Sequence, residues 1–266
     1  MSVFMPTFKA PLTLYSYQVD PFYHARLTYY LQILQEAAGL HAYKLDLSIP
    51  QLQKMGMTWL LLRTKLTIMR YLSWPEDLTV TTWPQRPWKF YYPRTTIATD
   101  SNDKELFRAI SHWMVVDLAT HRPSRNPLIH ESFSGEHTPF EIDPDIGRLK
   151  SVDDSLPIFS EYSPTVTYGD ADFNGHINNI SYVSWMLDSL PFEFRDNYKV
   201  SEIDISYVAE TYRNDQINIE TTILSEGTIE SANPKLCHVV KRIHPDGSDQ
   251  IVSLAHTTWA LRNTLV

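Results

Sequence analysis

The sequence predicts an α+β chain made of two tandem copies of one unit, in each of which an antiparallel sheet wraps around a central helix. Three observations predict it. A loop carrying aspartate and histidine opens a helical stretch twice, and its histidines, His24 and His176, stand 152 positions apart. Each helix is followed by four stretches in which apolar and polar residues alternate with period two. The last two stretches of each set are joined by a polar turn, Asp100-Ser101-Asn102-Asp103 or Asp246-Gly247-Ser248-Asp249, with Trp113 or Trp259 ten residues past its final aspartate.

In the first copy the helix is read over 27–38, closed by Gly39, which can take the left-handed conformation that ends helices. Strands are read over 58–70, 78–83, 89–99 and 106–118. In the second copy Ile177, Ile180, Val183, Leu187 and Leu190 recur at spacings of three and four, marking one face of a helix over 180–190. Pro191 ends it, because proline cannot continue the hydrogen-bond ladder. Strands follow over 202–210, 217–224, 236–243 and 250–261. Between the copies the chain turns rich in proline, serine and acid, as in Arg122-Pro123-Ser124-Arg125-Asn126-Pro127 and Asp143-Pro144-Asp145. This reads as a linker over the surface, giving a first domain at 1–125, a linker at 126–160 and a second domain at 161–266.

Composition narrows the function. Hydrophobic residues make up 43% of the 266 and charged residues 20%, values of a globular chain able to bury a core. With 8 glycines there is no G-x-G-x-x-G and no G-x-x-x-x-G-K-[ST] loop for a nucleotide, and no G-x-S-x-G elbow for a serine nucleophile. A net charge of −8 gives no bulk attraction to nucleic acid or to an anionic membrane. The single cysteine, Cys237, sits in an alternating apolar stretch and reads as buried packing in a reducing compartment. Residues 1–11 lack the charged and apolar regions of a signal peptide, and no apolar run approaches the ~20 residues of a membrane span. A cytoplasmic location is expected.

Chemistry concentrates in Tyr168-Gly169-Asp170-Ala171-Asp172-Phe173-Asn174-Gly175-His176-Ile177-Asn178-Asn179. Aspartate and asparagine before a helix commonly serve as caps and turns. The same place also collects free backbone N–H groups and the positive end of the helix dipole, which suits an oxyanion. The whole string resembles the D-x-N-x-H-x-N-N signature of hotdog-fold thioesterases, and within them the acyl-acyl carrier protein (acyl-ACP) thioesterases of the plant and bacterial type. The resemblance runs over nearly the whole chain and implies two tandem hotdog domains. It also implies that Asp172, Asn174 and His176 are catalytic.

A fourth catalytic position follows from the same resemblance. Glu210 lies in Tyr207-Val208-Ala209-Glu210-Thr211-Tyr212-Arg213, and the matches at Tyr207, Glu210 and Arg213 make it the family's catalytic glutamate. Alternation of Ile203, Ile205, Tyr207 and Ala209 puts Glu210 on the opposite face of a strand. Plant members usually carry cysteine directly after this glutamate; here the residue is Thr211, which favours water as the attacking species. The copies are not equivalent, since Phe22 stands where the second has Asn174 and Tyr71 where it has Glu210. One competent site and one relic are expected.

The implied reaction is hydrolysis of acyl-ACP to free fatty acid, needing no cofactor and no metal. Glu210 would act as general base, helped or replaced by His176, with Asp172 fixing the geometry and Asn174 orienting water or the oxyanion; a covalent anhydride at Asp172 stays open. The implied partner is an acyl carrier protein, with no nucleic acid, no membrane span and a homodimer left open. Because such a carrier is acidic, Arg63, Lys65, Arg70, Arg86, Lys89 and Arg94 are read as its docking patch. The acyl chain is expected in the first domain, between the 27–38 helix and Trp59-Leu60-Leu61-Leu62. Two other readings are a hotdog acyl-CoA thioesterase and a non-catalytic acyl-binding module.

Overall fold

In a computed structural model, which describes residues 7–133, 149–151, 156–224 and 232–262, the alternating stretches form strands and the helical stretches lie against them. The chain divides into two units, Met1–Ile146 and Gly147–Val266.

The first unit contains β1 (Phe8–Thr13), α1 (Leu27–Lys44), α2 (Ile49–Gln53), β2 (Met57–Ile68), β3 (Asp77–Pro84), β4 (Tyr91–Thr99), β5 (Glu105–Asp117) and α3 (Pro127–Ser132). Its strands lie in the order β1-β3-β4-β5-β2, every neighbouring pair antiparallel. The helix α1 lies against β1 and β3 and buries Leu27, Tyr30, Leu31, Ile33, Leu34, Ala37 and Ala38. Burial of this face removes apolar surface from water at about 25 cal/mol per Å².

The second unit contains β6 (Ile158–Tyr162), α4 (Asn179–Asp188), α5 (Phe192–Asn197), β7 (Tyr198–Tyr207), β8 (Gln216–Ile223), β9 (Lys235–Ile243) and β10 (Asp249–Leu261). Its antiparallel order is β7-β10-β9-β8-β6. The helix α4 packs on β8 and β9 and buries Tyr182, Val183, Trp185 and Met186. Asn178 caps it, its Oδ1 accepting from the Ile180 N–H at 2.9 Å. The two units share fine detail. Trp113 Nε1 donates to Ser111 Oγ at 3.0 Å, and Trp259 Nε1 donates to Thr257 Oγ1 at 2.8 Å. Cys237 is buried in β9, as expected.

Several sequence expectations change. Gly39 does not close α1; the helix runs on to Lys44, and the chain turns away at Leu45 and Asp46, whose φ is 58°. Glycine in a helix costs about 1 kcal/mol, and burial of His41 and Ala42 beyond it offsets that. The strand read over 202–210 ends at Tyr207, because the N–H groups of Val208 and Ala209 both turn to the carbonyl of Val252, at 2.9 and 3.2 Å. Glu210 is therefore in a loop, not on a strand face. The edge strands β1 and β6 were not read from sequence. The stretch read as linker carries α3, which buries Ile129 and packs, with Phe133, against Leu47, Leu52, Met57, Tyr92 and Val115. Asp143-Pro144-Asp145 lies outside the described residues. Among the described residues no helix is long and apolar enough to cross a membrane.

Candidate active site

The loop before α4 is organised by Asp172. Its Oδ1 accepts from the backbone N–H of Asn174 at 2.8 Å and of His176 at 3.3 Å, while its own N–H donates to the His176 carbonyl at 2.8 Å. Gly175 sits at φ 81°, a conformation glycine adopts without strain, and its N–H reaches the Asp172 carbonyl at 3.0 Å. Asn174 Nδ2 reaches Asp172 Oδ2 at 3.4 Å. The carboxylate thus holds the loop that presents His176.

Glu210 comes from the loop between β7 and β8. Its Oε1 lies 3.5 Å from His176 Nδ1, with the two side chains 43% and 33% exposed, so the pair is open to water. The register is fixed one residue on, where the Thr211 carbonyl accepts from the Ile177 N–H at 2.9 Å. Thr211 is fully buried, and its Oγ1 is 2.6 Å from Tyr182 Oη on α4. That hydroxyl faces the core, away from any nucleophilic role. Desolvation holds the Tyr182 phenol above its ordinary pKa, so it stays a hydroxyl.

Two further side chains belong to the site and were not assigned from sequence. Tyr212 meets the His176 ring edge-on at 5.1 Å and places its Oη 3.3 Å from Glu210 Oε2. Its phenol is raised, first by desolvation and then by the Glu210 carboxylate. Arg242, from β9, donates to the Glu210 carbonyl at 3.3 Å and to Asp215 Oδ2 at 3.2 Å. Tyr212 is two positions past Glu210, so proximity in sequence was the available signal; Arg242 gave none.

Of the four expected residues, His176 and Glu210 are brought together, and Asp172 and Asn174 meet each other. Among the described residues no hydrogen bond joins Asn174 to His176 or Glu210. Most backbone donors expected to hold an oxyanion are already engaged: His176 with Asp172, Ile177 with Thr211, Asn178 with the Asp170 carbonyl at 2.7 Å, and Ile180 with Asn178. Asn179, at the start of α4, has no such acceptor among the described residues. No cluster of three or more His, Cys, Asp or Glu side chains there is placed to hold a metal ion.

The first unit repeats this construction with different side chains at several of its positions. Asp20 Oδ1 accepts from the N–H groups of Phe22 and His24 at 2.9 and 3.0 Å, and Asp20 N–H donates to the His24 carbonyl at 2.7 Å. Tyr23, at φ 63°, takes the place of Gly175. The Ala25 N–H donates to the Leu72 carbonyl at 2.9 Å, as Ile177 does to Thr211. Tyr71 therefore occupies the position of Glu210, and its ring packs against His24 at 5.7 Å.

The basic patch is not what alternation suggested. Arg63 and Arg94 are buried, and Arg70 is paired with Glu76 and Asp100. Arg86 and Lys89 are exposed. Trp59 is committed to packing on Tyr92 and Phe133, with its Nε1 bonded to the Leu47 carbonyl at 2.7 Å.

Comparison with known proteins identifies the family. Residues 5–129 match the family model for the acyl-ACP thioesterase N-terminal domain, and residues 155–261 match that for the C-terminal domain. The chain belongs to the acyl-ACP thioesterase family. Among its relatives, the chloroplastic palmitoyl-acyl carrier protein thioesterases of Arabidopsis thaliana and Gossypium hirsutum are 26% and 27% identical over 95% of this chain. The chain spans 64% and 63% of their lengths. The solved 12:0-ACP thioesterase from Umbellularia californica superposes with a TM-score of 0.81 at 23% identity, covering 96% of this chain and 94% of that one. An acyl-ACP thioesterase from Bacteroides thetaiotaomicron gives 0.78 at 22% identity, covering 96% and 98%. The fold is thus the tandem hotdog of acyl-ACP thioesterases.

Proposed function

We propose that this acyl-ACP thioesterase family member hydrolyses the thioester of acyl-acyl carrier protein to free fatty acid and carrier protein, ending elongation of the chain. The observation that carries the reading is the Glu210 carboxylate 3.5 Å from the His176 ring, on an open face of the second unit. In this reading the second domain supplies the chemistry and the first takes the acyl chain.

Glu210 accepts a proton from water as the water oxygen attacks the thioester carbonyl carbon. His176 helps orient that water, and Tyr212 fixes the second carboxylate oxygen. The developing oxyanion takes the N–H of Asn179 and the amide of Asn174, both near the positive end of α4. The carbon–sulfur bond then breaks, and the carrier's thiolate leaves with the proton returned through His176. Asp172 acts as the loop's anchor: both its oxygens face loop donors, which favours this role over a covalent anhydride.

The partner is an acyl carrier protein met in the cytoplasm, whereas the plant relatives are named as chloroplastic. A homodimer is a finer part of the proposal, tested by sedimentation. The deciding measurement is release of free fatty acid from a ladder of acyl-ACP substrates, alongside the same chains on CoA. Faster hydrolysis on the carrier protein supports the reading. Equal or better turnover on CoA would replace it with an acyl-CoA thioesterase, and acyl binding without release would leave a non-catalytic module.

A further inference from the structure

The first unit buries a cation where its architecture does not need one. Arg94, in β4, is 6% exposed. Its Nη1 donates to His41 Nδ1 at 3.0 Å and reaches Thr82 Oγ1 at 3.3 Å. Since a guanidinium only donates, His41 accepts at Nδ1 and carries its proton on Nε2. Among the described residues no carboxylate pairs with Arg94. Thr82 is itself held by hydroxyl and carbonyl: Thr96 Oγ1 donates to Thr82 Oγ1 at 2.9 Å, and Thr82 Oγ1 to the Thr95 carbonyl at 2.8 Å, while the His41 ring stacks on Phe8 at 5.8 Å.

The second unit shows the alternative. Arg94 lies across the ladder from Pro84 and Ser111; Leu236 lies across from Ile223 and Thr257. Ser111 and Thr257 are the equivalent tryptophan acceptors, so Arg94 and Leu236 hold the same place in their sheets. Leu236 is fully buried. An apolar side chain therefore satisfies the fold here, and a buried charge without a counter-ion is a net cost to stability. The helices differ in the same sense. With 18 residues α1 outruns the 10 of α4, and the added length carries His41 to Arg94. Along the inner face of α1 the apolar run through Leu34, Ala37 and Ala38 ends at this polar group.

We propose that Arg94, held by His41 and Thr82, is a polar end wall that limits how long a hydrocarbon chain the first unit accepts, and that it favours chains whose far end bears a hydroxyl. This rests on the reading that the first unit takes the acyl chain. A methyl end pushed against the guanidinium would displace its partners and offer none in return; a terminal hydroxyl can accept from its remaining N–H groups.

The test uses the full chain and a ladder of acyl-ACP substrates with methyl ends, plus ω-hydroxy chains. Fatty acid released from any member by the unaltered protein shows that the underlying reading stands; none released from any member overturns that reading and this one with it. At the first length beyond the preferred one, the unaltered protein should cleave the ω-hydroxy chain faster than the methyl-ended chain. Arg94→Leu, and Arg94→Leu combined with His41→Leu, should raise kcat/KM for that longer methyl-ended chain relative to the preferred one by roughly 10–200-fold, the range set by added methylenes in an apolar pocket. Slower cleavage of the ω-hydroxy chain, or an unchanged length profile in either variant when folded, overturns the end wall while leaving the hydrolase reading intact.

Discussion

Tyr71 stands in the first unit where Glu210 stands in the second, each one residue before the carbonyl that accepts the N–H at the mouth of the central helix. The equivalence turns a sequence comparison into a structural one. Both units keep the aspartate that folds the loop and both keep the histidine, but the position after β7 that carries Glu210 carries Tyr71 in the first unit. The loop architecture is shared while the residue facing it differs, so the two can be tested separately.

The site should be one-sided. In the proposed mechanism Glu210→Gln keeps shape and removes the base, and His176→Ala removes its partner; each is expected to lower kcat by ~10²–10⁴-fold, the range of acid–base contributions. His24→Ala touches a loop whose neighbour is the Tyr71 ring and should cost stability or chain preference instead. Steady-state kcat for the three folded variants on one good substrate decides the point. Equal losses at His24 and His176 would mean that both units take part in the chemistry.

Thr211 is expected to act through its place in the core. Thr211→Val leaves the buried Tyr182 hydroxyl without its 2.6 Å partner, a loss of about 1–3 kcal/mol. Thr211→Ser restores the oxygen and most of that stability. Unfolding free energies of the two variants from denaturant titrations should differ by about this amount. If Thr211→Val were as stable as the parent but inactive, the hydroxyl would have a direct chemical role.

How much of this was legible in the sequence depends on range. The Asp172–His176 loop, the helix after it and the interior strands are set by local spacing, and they stand within a few residues of their expected limits. The edge strand β1 was not, because Pro11 within Phe8–Thr13 breaks the usual strand signal, and an edge strand with one neighbour accommodates it. Alternation also misplaced Glu210, since two amides sharing the Val252 carbonyl end β7 early and swing the following loop toward His176. Arg63 and Arg94 looked like surface charges for a related reason: nothing near them in sequence reveals what covers them.

On the proposed reading, with those two buried, Arg70 paired and Lys65 half-buried, Arg86 and Lys89 are the exposed members of the expected patch that could steer an acidic carrier. The Debye length shortens to ~8 Å at 0.15 M salt, so kcat/KM on acyl-ACP should fall as salt rises. Arg86→Glu with Lys89→Glu should raise KM for the carrier-borne substrate and leave kcat unchanged. Salt titrations of both proteins check this. An insensitive parent would remove electrostatic docking from the account.

The last expectation concerns pH and the core of the second unit. His238 is buried between Thr221 Oγ1 and Thr257 Oγ1, each 2.9 Å from a ring nitrogen, and burial pushes its pKa down to about 3. In the unfolded chain the same imidazole titrates near 6.5, as the free side chain does. Between these values the unfolded state binds a proton that the folded state refuses. Stability from this group is therefore fully present above about pH 6.5 and is lost progressively as pH falls toward 3. One proton corresponds to at most about 1.4 kcal/mol per pH unit. Unfolding free energies from urea titrations at pH 7, 6, 5 and 4 should show that slope, added to whatever the carboxylates contribute. His238→Gln keeps a hydrogen-bonding side chain and removes the titration, so its profile should be flatter by that increment over the same window. Parallel profiles for the two proteins would show that the ring is not neutral in the folded core.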